Sequence, residues 1–332
     1  MIRRNEDGLW TAHNIPKGTN PVYAQALVDY FNALDPLFAK AQEQSDFEFI
    51  CTLINIQGMH DAGWDAFETT KDIFETFNRL KYKVRYNTEQ LHLFLVLYGL
   101  ILEAAYPYDL LCNLLRVSAG NRYSAFCFPD IKLGKSGKTR PMFASEKLNK
   151  IKEMAKAQGL EKNIEPLVSI FDKELRNAIF HSDYCLYDDE IRIPSPTKVY
   201  KTADVMKLIN KTLAYFEVMT RLVKMYKATY DKPEVIDVHP DFSKDPDEKV
   251  VVMVRKGTGA IGVKDNWTQE EIAQGKIPFR LCRLLPYEQK MLQKDPMLAE
   301  FPENKVEKWN RFLYLFPVPI RKHLLPITER FL

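Results

Sequence analysis

Hydrophobic residues recur at helical spacing through the first two thirds of the chain. Asn20 is a predicted N-cap with Pro21 at the first helical position, and the apolar positions that follow repeat every three or four residues. Those positions are Leu27, Tyr30, Phe31, Leu34 and Phe38. The same spacing predicts further helices at about 46–57, 63–81, 88–103, 107–120, 145–160, 164–182 and 202–230. The pattern therefore predicts a mainly α fold, with a helical bundle over residues 20–231.

The pattern changes at both ends of the chain. Residues 1–19 are predicted to form an irregular segment. After Pro233, the stretch "KVVVMVRKGTGAIGV" alternates β-forming residues around a Gly-Thr-Gly turn, which predicts a hairpin. We expect residues 232–332 to form a smaller C-terminal α+β appendage of unknown role.

Composition changes this picture little. The net charge of +3 is too small to indicate a nucleic-acid-binding protein by itself. The opening residues "MIRRNEDGLW" contain no apolar signal core, and the longest apolar stretch is interrupted by His92 and Glu103. We therefore expect a cytoplasmic protein with no membrane partner.

Metal and nucleotide motifs are missing from the sequence. The five cysteines include no CxxC pair, and neither His60 with Asp61 nor His239 has a third candidate ligand nearby. The run "GKSGKT" has Lys132 where a P-loop requires its first glycine. We expect no metal site and no cofactor.

One short stretch, "ELRNAIFHSDY", carries polar residues that a core helix would not need. At about 100° per residue, Asn177 and His181 lie one turn apart on the same face, and Leu175 belongs to the neighbouring apolar strip. Arg176 lies about 140° around the helix from His181, but its side chain is long enough to reach a shared cleft.

This combination of side chains suits chemistry on RNA, which carries its own nucleophile in the 2′-hydroxyl. A histidine can transfer the protons, and an arginine can bind the phosphate as negative charge develops on it. Asn177 can orient the histidine or donate to the phosphate. Arg176, Asn177 and His181 are therefore the candidate catalytic group.

The motif resembles that of the HEPN superfamily, in which an arginine and a polar residue are followed by a histidine late in a bundle helix. The stretches "CLYD" and "EIRIP" on either side of an Asp188–Asp189 turn predict a short strand pair after His181. The resemblance covers residues 20–231 and extends to the acidic residue and leucine before Arg176, this β excursion after His181 and the long closing helix. It implies an all-α bundle that acts as a metal-independent endoribonuclease. It also implies a homodimer that brings two motifs into one cleft, and a role in toxin–antitoxin, abortive-infection or other anti-phage defence, with an antitoxin or defence protein as a partner.

Several residues are expected to support this group. Asp183 and Tyr184 lie two and three residues after His181, and Glu103 is a lone carboxylate on an apolar helix that could bond the motif residues or reach the helix end. A basic loop is expected to bind the RNA backbone through Lys132, Lys135, Lys138 and Arg140.

Two other interpretations of the motif stay open. The bundle could be catalytically silent and bind a nucleotide or a protein, or it could be a structural scaffold. If the polar residues of this helix have only a structural role, His181 would cap the helix and Arg176 would pair with Asp172. Tyr123 and the two phenylalanines after it could stack on unpaired bases or lie in the core.

Overall fold

The computed structural model describes residues 2–54, 66–80, 87–124, 126–134, 138–238, 247–254, 261–264, 268 and 270. This part of the chain is mainly helical, as the hydrophobic spacing predicts. Its helices are α1 (Pro21–Gln44), α2 (Asp46–Ile54), α3 (Ala66–Leu80), α4 (Asn87–Glu103), α5 (Ala105–Ser118), α6 (Ala144–Ala157), α7 (Glu161–Ile170), α8 (Lys173–His181) and α9 (Thr202–Ala228). Its strands are β1 (Ile2–Arg4), β2 (Trp10–Ala12), β3 (Ile131–Lys132), β4 (Thr139–Arg140), β5 (Cys185–Tyr187), β6 (Glu190–Ile193), β7 (Lys198–Lys201), β8 (Glu234–Asp237), β9 (Lys249–Val254) and β10 (Ile261–Lys264).

The chain divides into two units. The first comprises Met1–Asn55 and Ala66–Lys227, and the second comprises Ile56–Asp65 and Ala228–Leu332. The division after Lys227 falls close to the predicted boundary between residues 231 and 232. The predicted N-terminal segment, residues 1–19, is part of the first unit.

Helix α1 begins where the sequence predicts. The Asn20 side chain accepts hydrogen bonds from the backbone N–H groups of Val22 (2.9 Å) and Tyr23 (3.3 Å), so its N-cap role is confirmed. The apolar face of α1 is buried against α5 and α7. Leu34 and Phe38 on this face are fully buried, and burying each such side chain stabilises the fold by about 1.5–3 kcal/mol.

A hairpin of β1 and β2 forms in the segment that was predicted to be irregular, and side chains of both strands contact α1. Asp35 is only 4% exposed, and its carboxylate accepts hydrogen bonds from Trp10 Nε1 and the Tyr226 hydroxyl, both at 2.7 Å. It also pairs with Arg4. A buried carboxylate requires such partners, and here they join the hairpin, α1 and α9.

Helices α4 and α5 contain the most apolar stretch of the described chain. By length and composition, Thr88–Ser118 is a candidate membrane span, but a buried core helix passes the same test. Half of its most apolar window is buried inside the protein, including Leu95 and Tyr98, both with no exposed surface. These residues form part of the bundle core.

The prediction of a single helix at 164–182 is wrong, because α7 ends at Ile170 and α8 begins at Lys173. Asp172 is the N-cap of α8, and its Oδ1 accepts the N–H of Leu175 at 2.9 Å. The Tyr98 hydroxyl donates to the Ile170 carbonyl (3.0 Å) and accepts the Asp172 N–H (3.1 Å). The break is therefore stabilised by hydrogen bonds that replace those of a continuous helix.

Three antiparallel strands follow α8 in the order β5-β6-β7. Strands β5 and β6 are joined by a two-residue turn at Asp188 and Asp189, which confirms the hairpin predicted from the sequence. Asp188 has φ 51°, a left-handed conformation typical of such turns. Strand β7 was not predicted, and it contributes Lys198 and Tyr200, which both contact Asp172.

In the second unit, the described residues form a three-stranded antiparallel sheet with β9 at its centre. The pairing of β9 with β10 confirms the predicted hairpin. The Gly-Thr-Gly turn and residues 271–332 lie outside the described residues, and the predicted helical part of the appendage falls there.

Candidate functional site

Helix α8 presents Asn177 and His181 to a cleft and its apolar strip to the core. Leu175, Ala178 and Ile179 are buried, as the helical spacing predicts. The helix ends after His181 because Ser182 adopts a left-handed conformation with φ 54°. The N–H groups of Ser182 and Asp183 then donate to the Ile179 and Ala178 carbonyls at 3.2 and 2.8 Å, which is a Schellman motif.

A cleft of about 820 Å³ lies between α6, the end of α7 and α8. All three motif residues line it, and so do Lys173 at the start of α8 and residues from α6 and α7. The full lining consists of Phe143, Ser145, Glu146, Leu148, Asn149, Lys152, Val168, Phe171, Lys173, Arg176, Asn177 and His181. The structure therefore brings Arg176, Asn177 and His181 to one surface although Arg176 lies on a different face of the helix.

Arg176 is held by two partners. Its side chain is 14% exposed and forms an ion pair with Glu103 of α4, while Nη1 donates to Asn177 Oδ1 at 2.6 Å. Its Nε is buried and has no hydrogen-bond partner in the described part of the chain. Burial lowers the pKa of Arg176 from its ordinary value, but a guanidinium stays charged at neutral pH.

Glu103 was expected either to bond the motif residues or to reach the helix end, and the structure shows the first of these roles. It contacts the motif arginine, and its side chain is 36% exposed at the end of α4. The pairing of Arg176 with Asp172, which the purely structural interpretation required, is not the one observed. Asp172 instead binds Lys198 at 3.3 Å and Tyr200 at 2.9 Å.

His181 is exposed at the last turn of α8. Among the described residues, no side chain forms a hydrogen bond or an ion pair with its imidazole. The ring therefore has both nitrogens available to a molecule bound in the cleft. A histidine available in this way can exchange a proton directly with a bound molecule.

Asp183 and Tyr184 do not line the cleft. Asp183 is exposed and takes part in the helix end through its backbone N–H. The Tyr184 hydroxyl lies 2.9 Å from Nδ1 of His92, an exposed histidine on α4. The two residues that follow the motif therefore stabilise its surroundings and do not reach the cleft themselves.

The basic residues predicted to bind RNA fall into different environments. Lys132 and Lys138 are exposed on the β3–β4 ribbon and its connection, outside the cleft lining, and Lys135 lies outside the described residues. Arg140 donates two hydrogen bonds of 2.7 Å to Glu146 and lies 4.2 Å from the centroid of the Phe143 ring. Arg140 does not line the cleft itself, but it contacts Phe143 and Glu146, which do.

Three residues that the sequence did not single out contribute to the cleft. Lys173 precedes Arg176 by three residues and shares its side of α8, and Lys152 faces the cleft from α6. Neither lysine has a carboxylate partner among the residues that the structure describes. Phe143 lines the cleft and is 56% exposed. The i, i+3 spacing of Lys173 and Arg176 is a sequence signal that could have indicated Lys173.

Electrostatics favour an anion in this cleft. Its lining carries the positive charges of Lys152, Lys173 and Arg176 and the single carboxylate of Glu146. The hydrogen bonds from Arg140 and from the Phe143 N–H lower the pKa of Glu146 to about 2. That carboxylate is neutralised by Arg140, and Arg176 is neutralised by Glu103, so the positive excess that faces the cleft comes from Lys152 and Lys173.

Within the described ranges, no group of three or more His, Cys, Asp or Glu side chains is arranged to hold a metal ion. No protein-family model, curated protein or solved structure matches this chain.

Proposed function

We propose that this protein is a metal-independent endoribonuclease of HEPN type that cleaves RNA by attack of the 2′-hydroxyl. The observation that supports this proposal is the convergence of Arg176, Asn177 and His181 on one positively charged cleft. The resemblance of the motif to the HEPN superfamily favours the same chemistry.

In this proposal, His181 accepts the proton of the 2′-hydroxyl, and the 2′-oxygen attacks the adjacent phosphorus. The bond between phosphorus and the 5′-oxygen breaks, and the leaving oxygen takes up a proton. The products are a 2′,3′-cyclic phosphate and a 5′-hydroxyl end. The imidazole is exposed and has no hydrogen-bond partner among the described residues, which suits this transfer because it requires direct hydrogen-bond contact with the substrate.

Arg176 would stabilise the charge that accumulates on the phosphate oxygens. Glu103 and Asn177 fix the guanidinium at the cleft, so less side-chain freedom is lost when a phosphate binds. A homodimer would place a second motif across the same cleft, and one histidine could then act as base while the other acts as acid. A cytoplasmic role in toxin or anti-phage defence, with an antitoxin or defence partner, completes the proposal.

The test is cleavage of RNA by the purified full-length chain in EDTA. We expect His181→Ala and Arg176→Ala to lower the rate by about 100-fold or more, because each removes a group that acts in the transition state. A matched RNA with 2′-deoxy substitution at the cleaved position should resist the unaltered protein. Equal cleavage by His181→Ala, or cleavage of the deoxy substrate, would refute the mechanism.

A catalytically silent binding module is the second candidate. One observation favours it: the Arg176 guanidinium is already bonded to Glu103 and Asn177, and its Nε has no acceptor among the residues that the structure describes. In that case RNA or a nucleotide should bind to the cleft without being cut. Arg176→Ala should then weaken binding while no variant changes the length of the RNA.

A further inference from the structure

Phe143 is the largest exposed apolar side chain in the lining of the cleft. It is 56% exposed and lies directly before α6, with Ser145 and Glu146 of that helix beside it in the lining. An aromatic ring with this exposure contributes little to the packing of the core, and the chemistry proposed for Arg176 and His181 does not use it. Its position is nevertheless well defined by its neighbours.

Two interactions fix the Phe143 ring. The Arg140 guanidinium lies 4.2 Å from the ring centroid, and Glu146 accepts two 2.7 Å hydrogen bonds from the same guanidinium. Glu146 also accepts the Phe143 backbone N–H at 2.8 Å. Phe143 and Arg140 are thus ordered by one carboxylate before any ligand arrives, and a preorganised ring loses less entropy when it binds. The guanidinium covers part of the ring and leaves more than half of the side chain open to solvent.

Phosphate-binding groups accompany the ring in the same cleft. Lys152 and Lys173 line it without carboxylate partners in the described part of the chain. A cationic groove combined with an exposed aromatic ring is the arrangement that binds single-stranded nucleic acids, because the cations follow the backbone and the ring stacks on a base. A duplex keeps its base faces covered by neighbouring bases, so an aromatic ring beside the groove cannot stack on them.

We propose that the cleft selects single-stranded RNA, with an unpaired base stacked on Phe143 and the adjoining phosphates bound by Lys152 and Lys173. This inference deepens the proposed ribonuclease function and rests on it for the identity of the ligand. Phe143 and the two lysines are positioning residues in this scheme. Arg140 acts through Phe143, which it holds in place.

The test measures binding and not cleavage, so that it is independent of the chemistry. A short fluorescent RNA carrying 2′-O-methyl groups cannot undergo 2′-hydroxyl attack, and its affinity for the full-length chain is measured by anisotropy, alone and annealed to its complement. We expect Phe143→Ala to weaken binding of the single strand by about 5- to 150-fold, the range for loss of one stacked base. Phe143→Trp should retain the affinity because it keeps an aromatic face.

Phe126 provides a matched control. It is a phenylalanine that is 63% exposed and lies outside the cleft lining, so Phe126→Ala should leave the affinity unchanged. Lys152→Ala and Lys173→Ala should each weaken binding and reduce the salt dependence, by about 0.7 in the slope of log affinity against log salt concentration. Circular dichroism of each variant checks that the fold is intact.

The outcomes separate this inference from the function on which it rests. If the chain cuts no RNA but Phe143→Ala selectively weakens single-strand binding, the ribonuclease proposal fails and the selection of single strands stands. If His181→Ala abolishes cleavage while Phe143→Ala binds the single strand normally, the inference fails alone. Equal losses for single strand and duplex, or tighter binding of the duplex, would also overturn it.

Discussion

Replacing Asp172 by Ala tests how the candidate catalytic helix is held in place. The Asp172 carboxylate caps α8 through the Leu175 N–H, accepts the Tyr200 hydroxyl and pairs with Lys198. Alanine removes all three interactions and leaves the backbone bond from the Asp172 N–H to the Tyr98 hydroxyl intact. The variant therefore weakens the attachment of α8 to β7, where the 3.7 Å ion pair of Lys198 with Glu174 remains, and leaves its attachment to α4 intact.

The expected loss follows from these contacts. An N-cap contributes about 1 kcal/mol, and a hydrogen bond to a charged acceptor contributes about 1.5–3 kcal/mol. The Tyr200 bond belongs at the lower end of that range because its surroundings are only partly buried. Lys198 is 41% exposed, so its ion pair with Asp172 is screened by solvent and adds less than about 1 kcal/mol. The sum is about 2–4 kcal/mol, which corresponds to a fall of about 5–15 °C in Tm for a unit of this size.

Two measurements check this prediction. Thermal unfolding gives the change in Tm, and hydrogen exchange of the Leu175 and Arg176 amides reports opening of the first turn of α8. Asp172→Asn should lose less, because asparagine caps helices as well as aspartate does. Asn20→Ala provides the matched control, since the Asn20 side chain caps α1 through the Val22 and Tyr23 amides alone.

If Asp172→Ala lowers the stability no more than Asn20→Ala does, then Tyr200 and Lys198 contribute nothing beyond an ordinary cap. Unchanged exchange at Leu175 and Arg176 would further show that the carboxylate does not hold the first turn of α8.

Two further predictions concern other parts of the first unit. Asp35→Ala leaves the buried Trp10 Nε1 donor without its acceptor and removes the 2.7 Å carboxylate bond of the Tyr226 hydroxyl, although the bond from that hydroxyl to the backbone carbonyl of residue 35 can persist. It should cost about 3–5 kcal/mol in urea unfolding, whereas exposed Asp29→Ala should cost less than about 0.5 kcal/mol; a loss below about 1 kcal/mol for Asp35→Ala contradicts this. The pKa of Glu146 is lowered to about 2, so its contribution to stability is complete above its ordinary pKa of 4.5 and is lost progressively as the pH falls from 4.5 through about 2. Carbon NMR titration of Glu146 should show this low midpoint and an upward shift in Arg140→Gln, and a midpoint near 4.5 in the unaltered chain would be inconsistent with the hydrogen bonds described.

Local signals in the sequence predicted the features that depend on neighbouring residues. Asn20 with Pro21 identified the start of α1, and helical spacing identified the buried strip of α8 and the polar row beside it. The Asp188–Asp189 turn was predictable because turn chemistry is carried by the turn residues themselves.

Contacts between residues distant in sequence were not predictable. The break between α7 and α8 depends on Tyr98, whose hydroxyl bonds the backbone 72 and 74 residues further along the chain. Of the aromatic residues that could stack on bases or lie in the core, Tyr123 is buried and does not line the cleft, whereas the exposed aromatic ring in the cleft lining is Phe143. Arg140 was expected to bind a phosphate directly, whereas its guanidinium holds Phe143 and Glu146. Helical spacing assigns residues to a face, but it does not show which face of another helix lies opposite.

Gly99 shows how a residue outside the cleft controls the position of the motif. It lies on α4 opposite α8, and a methyl group added there would lie 3.0 Å from Phe180 Cε2 and 3.4 Å from Ile179 Cγ2. The separation of two helices depends on the side chains at their contact, and here α4 contributes only backbone. The approach of α8 to α4 at this point therefore depends on the absence of a Cβ at position 99, and a larger residue there would require the Phe180 ring and the Ile179 side chain to shift on the helix that carries Arg176 and His181.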